Sequence, residues 1–451
     1  MRIRLNGLAI LGATVVLMCL PAQPAAAQAA AQAQTSYTIP EYNAFQAAAA
    51  EKDPTAKIKD LDDFVSKFPN TTLMPYVYET YYQAYYLAKD YPKALEYADK
   101  LIAMGDKAEL PRRFAAIQAR VQLFSSTFQA KAPDANDQLA KERDAALLGL
   151  KLLPDVKKAK PDITDDQMKQ LTSGFEVTAG AADLQLKDYA AAAEAFKAGL
   201  AVNPNDAATS YRLGLAYLGM TPPQSLDGFW ALARAIDQKM QGADKVKEYL
   251  RTKILAYEQP GCDAQAEAQL DELLQLAANS PDRPATYTIP SHDDLSKISQ
   301  SSTIISVIAD LGGGGDKAKM TWLAICGAEF PEVVGKIIDV QKTDAASVNF
   351  LVFTSASPDE MSAATMANLA VKVWIAAPPA GATTAQVTPQ PDVVRLAKDD
   401  EIRFAGTLVS YDPSPFLLHW DQVKVDPSIL PEKGAAKKPA PHRAAPKPPG
   451  N

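Results

Sequence analysis

Gly180 and Gly214 stand 34 residues apart, and the residues around them follow a fixed order. Ala192 is followed four residues later by Phe196, Pro204 closes the turn Asn203-Pro204-Asn205-Asp206, and Leu213-Gly214 is followed three residues on by Tyr217. Small side chains at Gly180, Ala192 and Gly214 let antiparallel helices approach closely, while Phe196 and Tyr217 fill the space between neighbouring pairs. A unit of this kind cannot bury its apolar face alone. It must stack on copies of itself.

These A-x3-F, Pro and L-G-x2-Y elements resemble the tetratricopeptide repeat, whose period is also 34 residues. Ser210 and Glu176 depart from the family by occupying the usual Trp position. An earlier, degenerate unit carries Tyr78, Tyr81, Tyr82 and Tyr85 at the W-x2-L-G-x2-Y spacing, with Ala94 and Ala98 at the A-x3-F positions. Because Tyr82 replaces a small residue, that pair is expected to splay. Lys89-Asp90-Tyr91 and Lys187-Asp188-Tyr189 open the helix that follows each unit. A stripe of Ile58, Leu61, Phe64 and Phe68 ends at Pro69-Asn70 and resembles the N-terminal repeats of envelope scaffold proteins.

Further helices are expected over 113–129, 138–153, 246–257 and 266–278, with an apolar one around Phe229, Trp230, Leu232, Ala233 and Ile236. That gives about five to six helix pairs, above the three a stable array needs. Pro281, Pro284 and Pro290 mark a linker containing two helices, Leu295 to Leu311 and Lys317 to Ala328. From Val333 the period changes to alternation, giving strands over 334–340, 348–354, 369–376, 401–411 and 416–425 and a short helix near 359–367. The run Gly335-Lys336 with Val340, and Asp399 to Phe404 with Gly406, resemble an OB-fold of the tRNA-anticodon-binding-like type.

The expected fold is therefore mainly α: a tetratricopeptide-like α-α superhelical solenoid followed by a small five-stranded β-barrel. The expected domains are a signal peptide (1–27), the solenoid (28–280), a linker with two helices (281–330), the barrel (331–427) and a disordered Pro/Ala/Lys-rich tail (428–451). Arg2 and Arg4, the apolar run Leu8 to Leu20 and Ala25-Ala26-Ala27 fit a cleavable export signal. Met18 before Cys19 argues against lipidation, so the mature chain is expected to be soluble in the periplasm or secreted. Cys262 and Cys326 then remain as a candidate disulfide or two buried thiols.

Chemistry is sparse. The three histidines, His292, His419 and His442, are scattered, so no catalytic or zinc site is expected, and no cofactor. The run Gly312 to Gly315 has Asp316 and Ala318 where a phosphate loop needs Gly and Ser or Thr. A net charge of −7, with about five more acidic than basic residues over 331–427, opposes nucleic-acid binding. What remains is recognition of a protein or peptide partner. In tetratricopeptide arrays the first helix of each pair lines a concave groove. The resemblance therefore places Tyr211, Arg212, Leu215 and Leu218 there, and in the tyrosine-rich unit Tyr76, Glu79, Gln83 and Tyr86. The alternatives are a structural envelope-assembly factor, a glycan or oligonucleotide binder in the β domain, or an unrecognised hydrolase. The basic tail offers weak contact with cell wall or lipid.

Overall fold

The computed structural model describes residues 37–259, 262–341, 345–378 and 388–431. The expected signal peptide and nearly all of the expected tail lie outside them. The described residues form two compact units: one up to Leu250 together with Glu272–Tyr287, the other Arg251–Asp271 together with those from Thr288 on.

The first unit is built from α1 (Ile39–Ala50), α2 (Pro54–Lys67), α3 (Met74–Leu87), α4 (Tyr91–Ala103), α5 (Leu110–Thr127), α6 (Ala135–Ala159), α7 (Asp165–Leu186), α8 (Tyr189–Val202), α9 (Ala207–Gly219) and α10 (Ser225–Asp237). Each of these helices packs on the one before and the one after it, and first helices also meet: α3 touches α5, and α7 touches α9. That is the neighbour-only pattern of stacked helix pairs. α11 (Ala243–Glu258) and α12 (Asp263–Asn279) follow, and the residues of each are shared between the two units.

Local chemistry sets these boundaries. In both Lys-Asp-Tyr tripeptides the lysine turns left-handed (φ 61° at Lys89, 66° at Lys187), which ends one helix. The aspartate then caps the next: Asp90 accepts from the Lys93 amide and Asp188 from the Ala191 amide. Thr164 with Gln167 forms a full capping box at the start of α7. α6 runs past Pro154, where the sequence predicts its end. Leu152, Leu153 and Val156 are buried on both sides of the proline, and their packing offsets the lost hydrogen bond.

The small residues act as the spacing implies. A Cβ on Gly180 would lie 2.9 Å from the Phe196 ring, and one on Gly214 would lie 2.7 Å from Leu232 and 3.0 Å from the Gly228 carbonyl. Ser210, at the usual Trp position, instead donates to Gln238 at the end of α10 (3.0 Å). Tyr82 is buried against Ala98, Ala116 and Ala119, so small residues on neighbouring helices make the room that its own position lacks. Gly214→Val is expected to cost about 1–3 kcal/mol through forced separation of α9 from α10. A urea titration followed by helical circular dichroism measures it, and an unchanged midpoint refutes the packing role.

In the second unit, α13 (His292–Ser301) and α14 (Ile304–Gly313) replace the single helix expected over 295–311. The break is chemical: Thr303 caps α14 reciprocally with Ser306. α15 (Gly315–Ile325) follows. Residues 281–330 thus do more than link. Val307, Leu311, Trp322 and Ile325 enter the same core as the strands.

The strands are β1 (Glu329–Gln341), β2 (Ser347–Phe353), β3 (Leu369–Trp374), β4 (Glu401–Pro413) and β5 (Phe416–Val425), with α16 (Pro358–Ala363) between β2 and β3. They close a barrel in the order β1-β2-β3-β5-β4, antiparallel except for a parallel β3–β5 pairing. Alternation sends Val333, Ile337, Phe350, Val371, Ile402, Phe404 and Trp420 inward. Where the ladders run out, side-chain amides continue them. Asn368 exchanges hydrogen bonds with the Thr354 backbone (2.9 and 2.8 Å), and Gln390 does the same with Val425 (both 2.8 Å).

Cys262 and Cys326 form a disulfide with Cα atoms 5.6 Å apart. It ties the connection between α11 and α12 to the end of α15, within the second unit.

Candidate partner-binding face of the helical unit

The eight residues expected to line a groove separate into two strips. On α3, Tyr76 is half-buried and committed to α5: its hydroxyl donates to Glu109 (2.9 Å), and the Arg112 guanidinium lies 3.8 Å from its ring centre. Glu79 pairs with the same Arg112. Burial raises the Tyr76 phenol above its ordinary pKa, helped by Glu109, and pulls the Arg112 guanidinium below its own. These groups join first helices to one another. Only Gln83 and Tyr86 of this strip are exposed, Tyr86 beside Tyr91 with ring centres 5.9 Å apart.

On α9 the arrangement differs. Asp206 caps the helix, accepting from the Ala208 and Thr209 amides and from the Thr209 hydroxyl. That fixes the rotation by which Leu213, Gly214 and Ala216 face inward. Tyr211, Leu215 and Leu218 then fall at i, i+4 and i+7 on one face, all half-exposed. Leu218 also reaches over Gly228 of α10, so it serves both the interface and the surface.

Arg212 lies beside this row and is only 8% exposed. Burial draws its guanidinium below the ordinary pKa, with the Asp206 charge opposing. Burial also raises the phenols of Tyr211 and of Tyr249 on α11, and Tyr211 adds to the shift at Tyr249, so the two rings are electrostatic neighbours. Tyr249 escapes motif reading, because α11 carries no repeat signature. Its position just before Leu250 in the buried Val246, Leu250, Ile254 series is the one available signal.

The two strips sit on different helix pairs, α3 packing with α2, α4 and α5, and α9 with α7, α8 and α10. The two described histidines stay apart as well, His442 lying outside the described residues: the His292 ring is near the Ser296 hydroxyl (3.4 Å), and His419 pairs with Asp412 (2.8 Å) on the barrel hairpin. Among the described residues no helix is long and apolar enough to cross a membrane.

No protein-family model matches the sequence, and no curated protein does. Among solved structures the chain is similar to one described as "MamA RS-1 ArsTM double mutant", at 17% identity, covering 46% of this chain and 98% of that one, with a TM-score of 0.29. So distant a likeness carries no argument about what this chain binds.

Proposed function

We propose that this protein is an exported scaffold that binds a protein or peptide partner along α9 of its helical unit and catalyses no reaction. The observation that carries this reading is the row Tyr211, Leu215 and Leu218, half-exposed on a first helix, with Tyr249 of α11 alongside. A phenol and two branched apolar side chains on a rigid helix bring contact area at small entropic cost. Export draws support from the Cys262–Cys326 disulfide, a bond that persists in oxidising compartments. The barrel's strand order, with β3 and β5 parallel, suits an OB-like module.

Photo-crosslinking tests the proposal. A benzophenone side chain is placed at Leu215 in cells, with a control at Val409 on the barrel, which is 43% exposed. A discrete crosslinked protein from Leu215 and none from Val409 is the expected result. Products from Val409 alone would overturn the assignment to α9.

A further inference from the structure

Arg212 is a buried charge with no partner among the described residues. No hydrogen bond, ion pair or ring contact reaches it among the described residues, although only 8% of it is exposed. Other deeply placed arginines in this unit are engaged. Arg120, 1% exposed, donates to Asp99 (2.5 Å) and lies 3.5 Å from Glu142, while Arg112 holds Glu79 and covers Tyr76. The negative charge nearest Arg212, Asp206, already spends its oxygens on the cap of α9 and on Thr209. A guanidinium short of water and with no partner among the described residues destabilises the fold that holds it. Such a group is worth keeping where an anion arrives from outside.

We infer that Arg212 receives a carboxylate of the bound segment, so that the partner presents an acidic group next to the bulky apolar residues that lie over Leu215 and Leu218. This rests on the α9 reading above and adds the chemical class of the ligand. A planar guanidinium can take a carboxylate through two parallel N–H bonds, and partial burial strengthens them. Either an internal Asp or Glu or a free C-terminal carboxylate supplies this chemistry.

The test pans the full chain against two random peptide libraries, one displayed with free C-termini and one embedded between fixed segments, and measures selected peptides by fluorescence anisotropy. Enrichment of Asp or Glu in the embedded library identifies a side-chain carboxylate. Enrichment confined to free ends, lost on amidation, identifies the terminus. In either case Arg212→Met is expected to weaken binding at least tenfold, and Arg212→Lys by less, since charge survives and the fork does not.

A stability measurement separates recognition from scaffolding. Because the guanidinium is unpartnered among the described residues, Arg212→Met is expected to raise the thermal midpoint of the helical unit while it weakens binding. An arginine needed for the fold would lower both. Selected peptides without acidic bias, bound equally by Arg212→Met yet lost on Tyr211→Ala with Leu215→Ala, would overturn the carboxylate assignment and leave the α9 reading standing. Peptides that bind undiminished after the Tyr211 and Leu215 changes would overturn both.

Discussion

Replacing Cys262 and Cys326 together with alanine is expected to lower the stability of the barrel unit by about 4 kcal/mol. The bond closes a loop with a sequence separation of 64 residues, and a loop of that length restricts the unfolded chain strongly. Cys326 is 3% exposed and sits in the core with Trp322, Ile325 and Val333, so alanine there also removes packed sulfur. Three of the four tryptophans, Trp322, Trp374 and Trp420, lie in this unit and report its unfolding by fluorescence. Guanidinium titrations of the oxidised chain and of the double variant give the difference directly. Coincident midpoints would show that the crosslink contributes nothing to the fold.

The second large effect is a pH dependence centred on Glu258. Val246, Leu250, Ile254 and Glu258 follow one another at intervals of four along α11, and all are buried, Glu258 completely. Neither of its carboxylate oxygens has a hydrogen-bond partner among the described residues. Burial pushes its pKa from 4.5 up to about 8. The sign follows from linkage. The fold favours the protonated form, so the stability associated with this group is fully present below pH 4.5 and is lost as pH rises through about 8. At pH 9 the loss approaches roughly 5 kcal/mol, an upper bound because the site can relax or admit water. Glu258→Gln removes the titration. Urea midpoints at pH 5.5, 7 and 9 are expected to fall in the natural chain and to fall markedly less in the variant. Parallel pH profiles would rule out Glu258 as the source. Glu142 adds a slope of the same sign: burial and the Asp99 charge raise its pKa to about 8 against the pull of Arg120.

The parts of this structure legible in the sequence are those where a residue type does one local job. Lys-Asp-Tyr reads as a helix stop and a helix start because a left-handed lysine and a capping aspartate need no distant partner. The small residues and Phe196 read as close helix contact because their spacing repeats. The change to alternation at Val333 likewise gave the barrel, since period two admits one buried face. What stayed hidden depends on contacts far along the chain. Pro154 stops a helix by local rules, but tertiary burial of Leu152 and Val156 carries α6 through it. Tyr76 and Glu79 look like groove residues until α5 brings Glu109 and Arg112 to them. Glu258 occupies the next apolar position of a readable stripe, so its burial could be inferred from period, whereas its missing partner could not. The same holds for Arg212.

Hydrogen–deuterium exchange of the full chain, free and saturated with the partner recovered by crosslinking, tests the central proposal most directly. Binding along α9 predicts slowed exchange in peptides spanning 207–219 and 243–250, with 401–425 unchanged. Protection confined to the barrel strands, with 207–219 exchanging as in the free chain, would contradict it.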